Sequence, residues 1–431
     1  MAELPLISLD AQEVEEGSEV RLEGAAAQEL QATEVPPEPK RISLFEAVAD
    51  TLVDIGGTKC SGQELASVGS GPGLRGVKAP LRISLAKALG EDRPPVAQKP
   101  INNPATRKVF PRADDWSNVH TRTDEEVAEK GLGSVRAVLG TEGDQLGYFR
   151  SPCGMAVDSK RIYIADTLNH RIQAFHKETF ESLGQVTLPQ NSEVLKFDDP
   201  SGLGCVEDDD GCTTLVIVEY GLDRLWSVVL EPDSLQAVSA RCLAKSLFYG
   251  PFGVGFTLGR IVVADSCNHR CIVLTMDGGK LFEFGTRGSG PGQFEYPECI
   301  ATFSDGYVAV SDKDNHRIQV FDDSGNFSHY IPSNWTLSRM SHLGVTPKQG
   351  ALLAPMGMVC DLRDRIYVAD CGSHRVQIFD RSGKWLWGSD LAPPGNGTPE
   401  EAGFHFRSPT AMCVSVEGLV YVASDHCVQV F

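Results

Sequence analysis

From Ser134 onward, apolar runs of four or five residues alternate with clusters of Gly, Asp, Asn and Pro. Short runs rich in Val, Ile, Tyr and Phe and bounded by turn formers predict β-strands. The runs also recur as a unit. Ile162-Tyr-Ile-Ala-Asp166 is followed by Asn169-His-Arg-Ile172 and Gln173-Ala-Phe175. The same order returns in Ile261–Asp265 with Asn268-His-Arg270, in Val308–Asp312 with Asn315–Phe321, and in Ile366–Asp370 with Ser373–Phe379. Leu215–Glu219 with Asp223–Leu225 is a degraded copy, and Leu419–Ser424 with His426–Phe431 is two residues short.

A proline precedes each copy: Pro152, Pro200, Pro251, Pro297, Pro355 and Pro409, spaced 48, 51, 46, 58 and 54 residues apart. One four-stranded blade occupies about 40–50 residues, so the pattern predicts an all-β, six-bladed propeller. A run such as Ile-Tyr-Val-Ala is apolar on both faces, which suits a strand sandwiched between adjacent blades. Gly154, Gly202, Gly253, Gly357 and Ala411 follow the prolines, where strands crowd towards the axis; Cys299 stands near that place in blade four. The sixth unit ends at its third strand. The strand-like segment Ser134–Gly140 is therefore expected to pair with Val428–Phe431, since an unpaired apolar edge is a liability.

Residues 1–133 have a different texture, giving two regions: an acidic, Pro-rich arm over 1–133 and the propeller over 134–431. Residues 1–40, rich in Glu, Gln, Ala and Pro, are expected to be disordered. Two amphipathic segments follow, around Ile42–Val53 and Leu81–Leu89, each with an Arg-Ile-Ser-Leu motif at its start (Arg41–Leu44 and Arg82–Leu85). They read as transient helices, with docking to a partner groove as the functional alternative. The opening MAELPLISLDAQEVEEG lacks a basic stretch and a long apolar core. A secretory signal is therefore not expected, and neither is a membrane span; a cytoplasmic site and reduced cysteines are. The net charge of −19 disfavours non-specific contact with phosphate backbones, although a local basic patch remains open.

Gly292–Phe321 and Gly147–Phe175 both read Gly-x-Phe-x-x-Pro, an apolar strand ending in Asp, then Asn-His-Arg-Ile-Gln and a final Phe. This pattern resembles the NHL repeat. The resemblance covers roughly residues 134–431, is weakest in unit two, and extends to the propellers of TRIM-NHL and malin-like proteins. It implies a propeller for protein or RNA recognition, often as the substrate-binding part of RING-type ubiquitin ligases. No RING cysteine pattern accompanies it here, so a ligase would be another chain. The resulting expectation is a monomeric, non-enzymatic interaction scaffold without cofactor or metal. RNA binding is the first alternative. A metal-dependent lyase or lactonase is the second, because amidating lyases share an NHL-like propeller.

The repeat's polar residues are expected to be structural: Asp166, Asn169, His170 and Arg171; Asp265, Asn268, His269 and Arg270; Asp312, Asn315, His316 and Arg317; Asp370, His374 and Arg375. A residue present once per blade most simply does one structural task per blade, satisfying turn backbone groups. Cys153, Cys205, Cys299, Cys360 and Cys413 lie at differing depths and read as buried thiols. Cys267-x-x-x-Cys271 lacks a second pair for zinc, and Glu207–Asp210 lacks calcium-loop spacing. Partner contact is expected where blades six and one meet. Both carry Phe-Arg-Ser-Pro, which brings Arg150 and Arg407 together with Tyr148, Phe404 and His405. Tyr296 and Lys313 extend that face, and Asp198 and Asp199 of blade two polarise it.

Overall fold

The computed structural model describes residues 122–190, 196–335, 349–389 and 406–431. The two amphipathic segments and the residue 1–40 arm lie outside the described residues. So do Phe404 and His405.

Six four-stranded antiparallel sheets are arranged as blades. Their innermost strands are Pro152–Val157, Pro200–Glu207, Pro251–Thr257, Pro297–Thr302, Pro355–Cys360 and Pro409–Val414, each beginning at the proline marked in the sequence. The second strands of blades one, four, five and six (Arg161–Asp166, Val308–Asp312, Ile366–Asp370 and Val420–Ser424) are buried throughout, and those of blades two and three except at Thr214 and Arg260. Alternation along them divides their side chains between two neighbours. Tyr163 and Ala165 pack towards blade two, while Ile162 and Ile164 pack towards blade six. Each of the six blade junctions holds its own apolar cluster.

The ring closes as expected from the strand count. Ala137–Leu139 pairs antiparallel with Cys427–Val430, in the register Ala137 to Val430 and Leu139 to Val428, and is the fourth strand of blade six. Near the axis the strands nearly touch. A β-carbon on Gly154 would collide with the Ser201 carbonyl, one on Gly202 with that of Phe252, and one on Gly253 with that of Glu298. In blade four, Cys299 occupies this position, and its sulfur accepts the Met358 N–H at 3.3 Å.

The propeller wall begins earlier than Ser134. A helix, α1 (Asp124–Lys130), starts in a capping box between Thr123 and Glu126. Val127 and Leu132 enter the core between blades five and six. The buried Arg365 guanidinium donates to the carbonyls of Arg122 and Thr123. The sequence signal was there: Thr-Asp-Glu-Glu opening, lysine in the last turn.

Candidate recognition face

In five of the six blades one carboxylate organises the loops on this face. Asp166 is fully buried and accepts the Arg150 N–H at 2.7 Å, Arg171 Nε at 2.7 Å and Gln173 Nε2 at 3.0 Å, with Asn169 Nδ2 beside it. Asp265, Asp312 and Asp370 repeat this with the N–H groups of Tyr249, Glu295 and Leu353 and with Arg270, Arg317 and Arg375. Asn268 and Asn315 donate to the same carboxylates. Blade two keeps the geometry with other residues: Glu219 accepts from Asp198 N–H, Arg224 and Trp226. In blade six, Ser424 takes the Arg407 N–H at 2.7 Å. Buried anions of this kind persist only when paired and multiply hydrogen-bonded, as these are.

Histidines join one blade to the next. His170, His269, His316 and His374 each follow a short 3₁₀ turn and sit in the left-handed region, where histidine is among the better-tolerated side chains. Their Nδ1 atoms accept N–H groups from the following blade: Asp199 at 3.1 Å, Tyr296 at 3.2 Å, Ala354 at 3.1 Å and Ser408 at 3.0 Å. His426 holds Ser151 at 3.5 Å, and in blade two Asp223 holds Gly250 at 2.7 Å. The held residue immediately precedes the blade proline and has φ between 45° and 55° in every blade. The backbone groups that these histidines satisfy belong to the loop entering the following blade and not to their own turn.

Above this frame, one position per blade, two before the proline, has its N–H fixed by the blade's carboxylate or serine. It is occupied by Arg150, Asp198, Tyr249, Glu295, Leu353 and Arg407. The residues before them, Phe149, Phe197, Phe248, Phe294, Leu352 and Phe406, are buried anchors. Arg150 is exposed, and the Arg407 side chain is 84% exposed. These two arginines lie on neighbouring blades of the same face. The patch is not purely basic: Asp425 stands 3.8 Å from Arg407, with His426 beside it. Tyr148 is exposed, and Tyr296 packs edge-on against His269 at 4.7 Å. Lys313 departs from its expected place. It is buried and paired with Glu298 at 2.6 Å, because the first residue of its turn points inward, so its ammonium is not displayed.

His170, Asp198 and Asp199 bring three ligand atoms within 4.8 Å of one another, the one such metal-capable group among the described residues. His170 Nδ1 is already engaged by the Asp199 N–H. Ten of the described cysteines, among them Cys153, Cys205, Cys299, Cys360 and Cys413, carry free thiols. Burial pushes the Cys153 and Cys299 thiols up to about 11 and raises Cys205, Cys360 and Cys413 as well, which keeps them protonated and unreactive. No helix among the described residues is long and apolar enough to cross a membrane.

Fold and face together define a six-bladed β-propeller with a loop-built surface over its blade junctions. The NHL repeat family model matches residues 149–175 and 294–321, which lie in blades one and four. Among curated proteins, the chain is 31% identical to "Protein brain tumor" of Drosophila melanogaster over 142 residues, covering 32% of this chain and 12% of that one. It is 28% identical to "B-box type zinc finger protein ncl-1" of Caenorhabditis elegans over 137 residues, covering 24% and 16%. With human "NHL repeat-containing protein 3" the identity is 40% over 73 residues, covering 16% and 21%. The chain thus spans well under two thirds of these relatives. Among solved structures, a streptogramin B lyase superposes with a TM-score of 0.44 at 13% identity, covering 68% of this chain and 96% of that one. A likeness this distant carries nothing about chemistry.

Proposed function

We propose that this chain is a non-enzymatic, monomeric cytoplasmic scaffold whose junction face recognises a protein partner. One observation carries the reading. The repeat's Asp, Asn, His and Arg residues are consumed in holding the loops, while the position two before each proline presents arginine, aspartate, tyrosine, glutamate, leucine or arginine. A rigid frame displaying chemically different side chains around a ring suits selection of one complementary surface. A role in presenting substrates for ubiquitination belongs to the same proposal, with the ligase supplied by another chain.

Arg150→Glu combined with Arg407→Glu tests it. Capture of crosslinked partners from cells, read by mass spectrometry, is expected to fall by about tenfold, as for charge reversal in a contact surface. The urea midpoint should stay unchanged, since neither side chain bonds to the repeat's carboxylate frame. Unchanged capture would sink the proposal. The two exposed arginines on adjacent blades favour RNA as the second reading. Retention of single-stranded RNA at low salt, lost in the same double variant, would replace the protein partner with RNA.

A further inference from the structure

We propose that His269 and His374 are acid-sensitive latches between blades, so that the loops carrying Glu295–Tyr296 and Arg407–Ser408 loosen as pH falls below neutrality. The Tyr296 and Ser408 N–H groups point at Nδ1 of these rings, at 3.2 and 3.0 Å. A backbone N–H can only donate, so each Nδ1 must be unprotonated and its ring neutral, with the proton on Nε2. Adding a proton to Nδ1 sets two donors against each other and removes the bond.

The surroundings favour the neutral ring. Burial holds His269 below the usual imidazole range and Arg287 acts the same way, while Glu295 and Asp314 oppose it; the Tyr296 ring covers one side. Burial also lowers His374, helped by Arg407 and opposed by Asp370, with the Ser408 hydroxyl at 3.4 Å. The sign follows. The unfolded chain takes up these protons first, near the ordinary imidazole value of about 6.5. The latches' contribution is therefore complete above that pH and is lost as pH falls through the lower folded-state values. The junction between blades two and three is different in kind. There Asp223 Oδ1 accepts the Gly250 N–H at 2.7 Å, and no imidazole is involved.

The inference extends the recognition reading by making that face pH-responsive, but its test needs no partner. Amide exchange of the whole chain, corrected for intrinsic rates, is compared at pH 7.5 and 5.5. Protection at Tyr296 and Ser408 is expected to fall severalfold, because the opened loop releases an imidazole that takes up a proton near its ordinary value of about 6.5, while Gly250 holds. In His269→Asn with His374→Asn, the amide oxygen accepts at either pH and asparagine tolerates the left-handed backbone; the fall should vanish. Wild-type protection that is unchanged, or that drops equally at Gly250, overturns the proposal. So does an undiminished fall in the variant. Should the variant not fold, the wild-type contrast between Tyr296 or Ser408 and Gly250 decides alone. A negative result leaves the partner-recognition reading standing, because that reading is judged by capture at neutral pH.

Discussion

At the scale of single residues, the repeat works by substitution within a fixed geometry. Blade two lacks the Asn-His pair and has Glu for Asp, yet its loop is held as the others are. Glu219 supplies the carboxylate, Trp226 replaces glutamine as a donor, and Asp223 replaces the latching histidine. The requirement is therefore for an acceptor at each place, and several side chains meet it. The glycines are less forgiving. Gly154 is needed for close approach of the neighbouring blade's backbone, which cannot give way as a flexible side chain could. Gly154→Ala should destabilise the protein by about 3 kcal/mol or more, the upper end for over-packing. Urea unfolding of the variant measures this, and a cost below about 1 kcal/mol would show that the blades can separate there. The small residues after each proline were legible because crowding near the axis leaves a compositional trace. The inward turn of Lys313 left none, since a lysine in a loop looks alike whether it faces water or Glu298.

Among the elements, the closing strand does most with least. Three residues, Ala137–Leu139, complete blade six, and Arg136 adds a bond from its N–H to the Val430 carbonyl at 2.7 Å. Leu139 is buried in the cluster shared by blades six and one, while Val138 lies exposed on the rim. Removing residues 134–140 should leave the edge of Cys427–Val430 unpaired and open the ring. The expected result is a lower unfolding midpoint and concentration-dependent association through that edge, visible by light scattering. A monodisperse deletion variant of unchanged midpoint would contradict the closure. This strand could be anticipated because six units with one incomplete blade demand a seventh fragment of strand. Helix α1 escaped notice for the opposite reason. Its capping box is a local signal of two residues, and its burial depends on Val127 and Leu132 meeting blades five and six, which nothing in the chain's own periodicity announces.

At the scale of the whole propeller, the described residues form no single core. Six apolar clusters lie between blades, so each blade is stabilised only by its neighbours, and the closed circle shares that stability among all six. Trp226→Ala empties the junction of blades one and two, where the indole is almost fully buried. It should cost about 3–5 kcal/mol. The loss should appear as one earlier transition for the whole propeller, reported equally by circular dichroism and by fluorescence of the remaining tryptophans. Two separated transitions would mean that the blades unfold independently.

The sequence by itself determined the blade count, the start of every innermost strand, the need for small residues near the axis and the place where the ring closes. These follow from period and residue size, which are properties of the chain read in order. The tertiary structure alone decided which blade each histidine serves, that Lys313 is withdrawn beside Glu298, and that Asp425 sits beside Arg407. Those contacts join residues on different blades or across loops of unequal length. Their partners are chosen by where the closed ring brings backbone groups within hydrogen-bond reach, and spacing along the chain does not encode that.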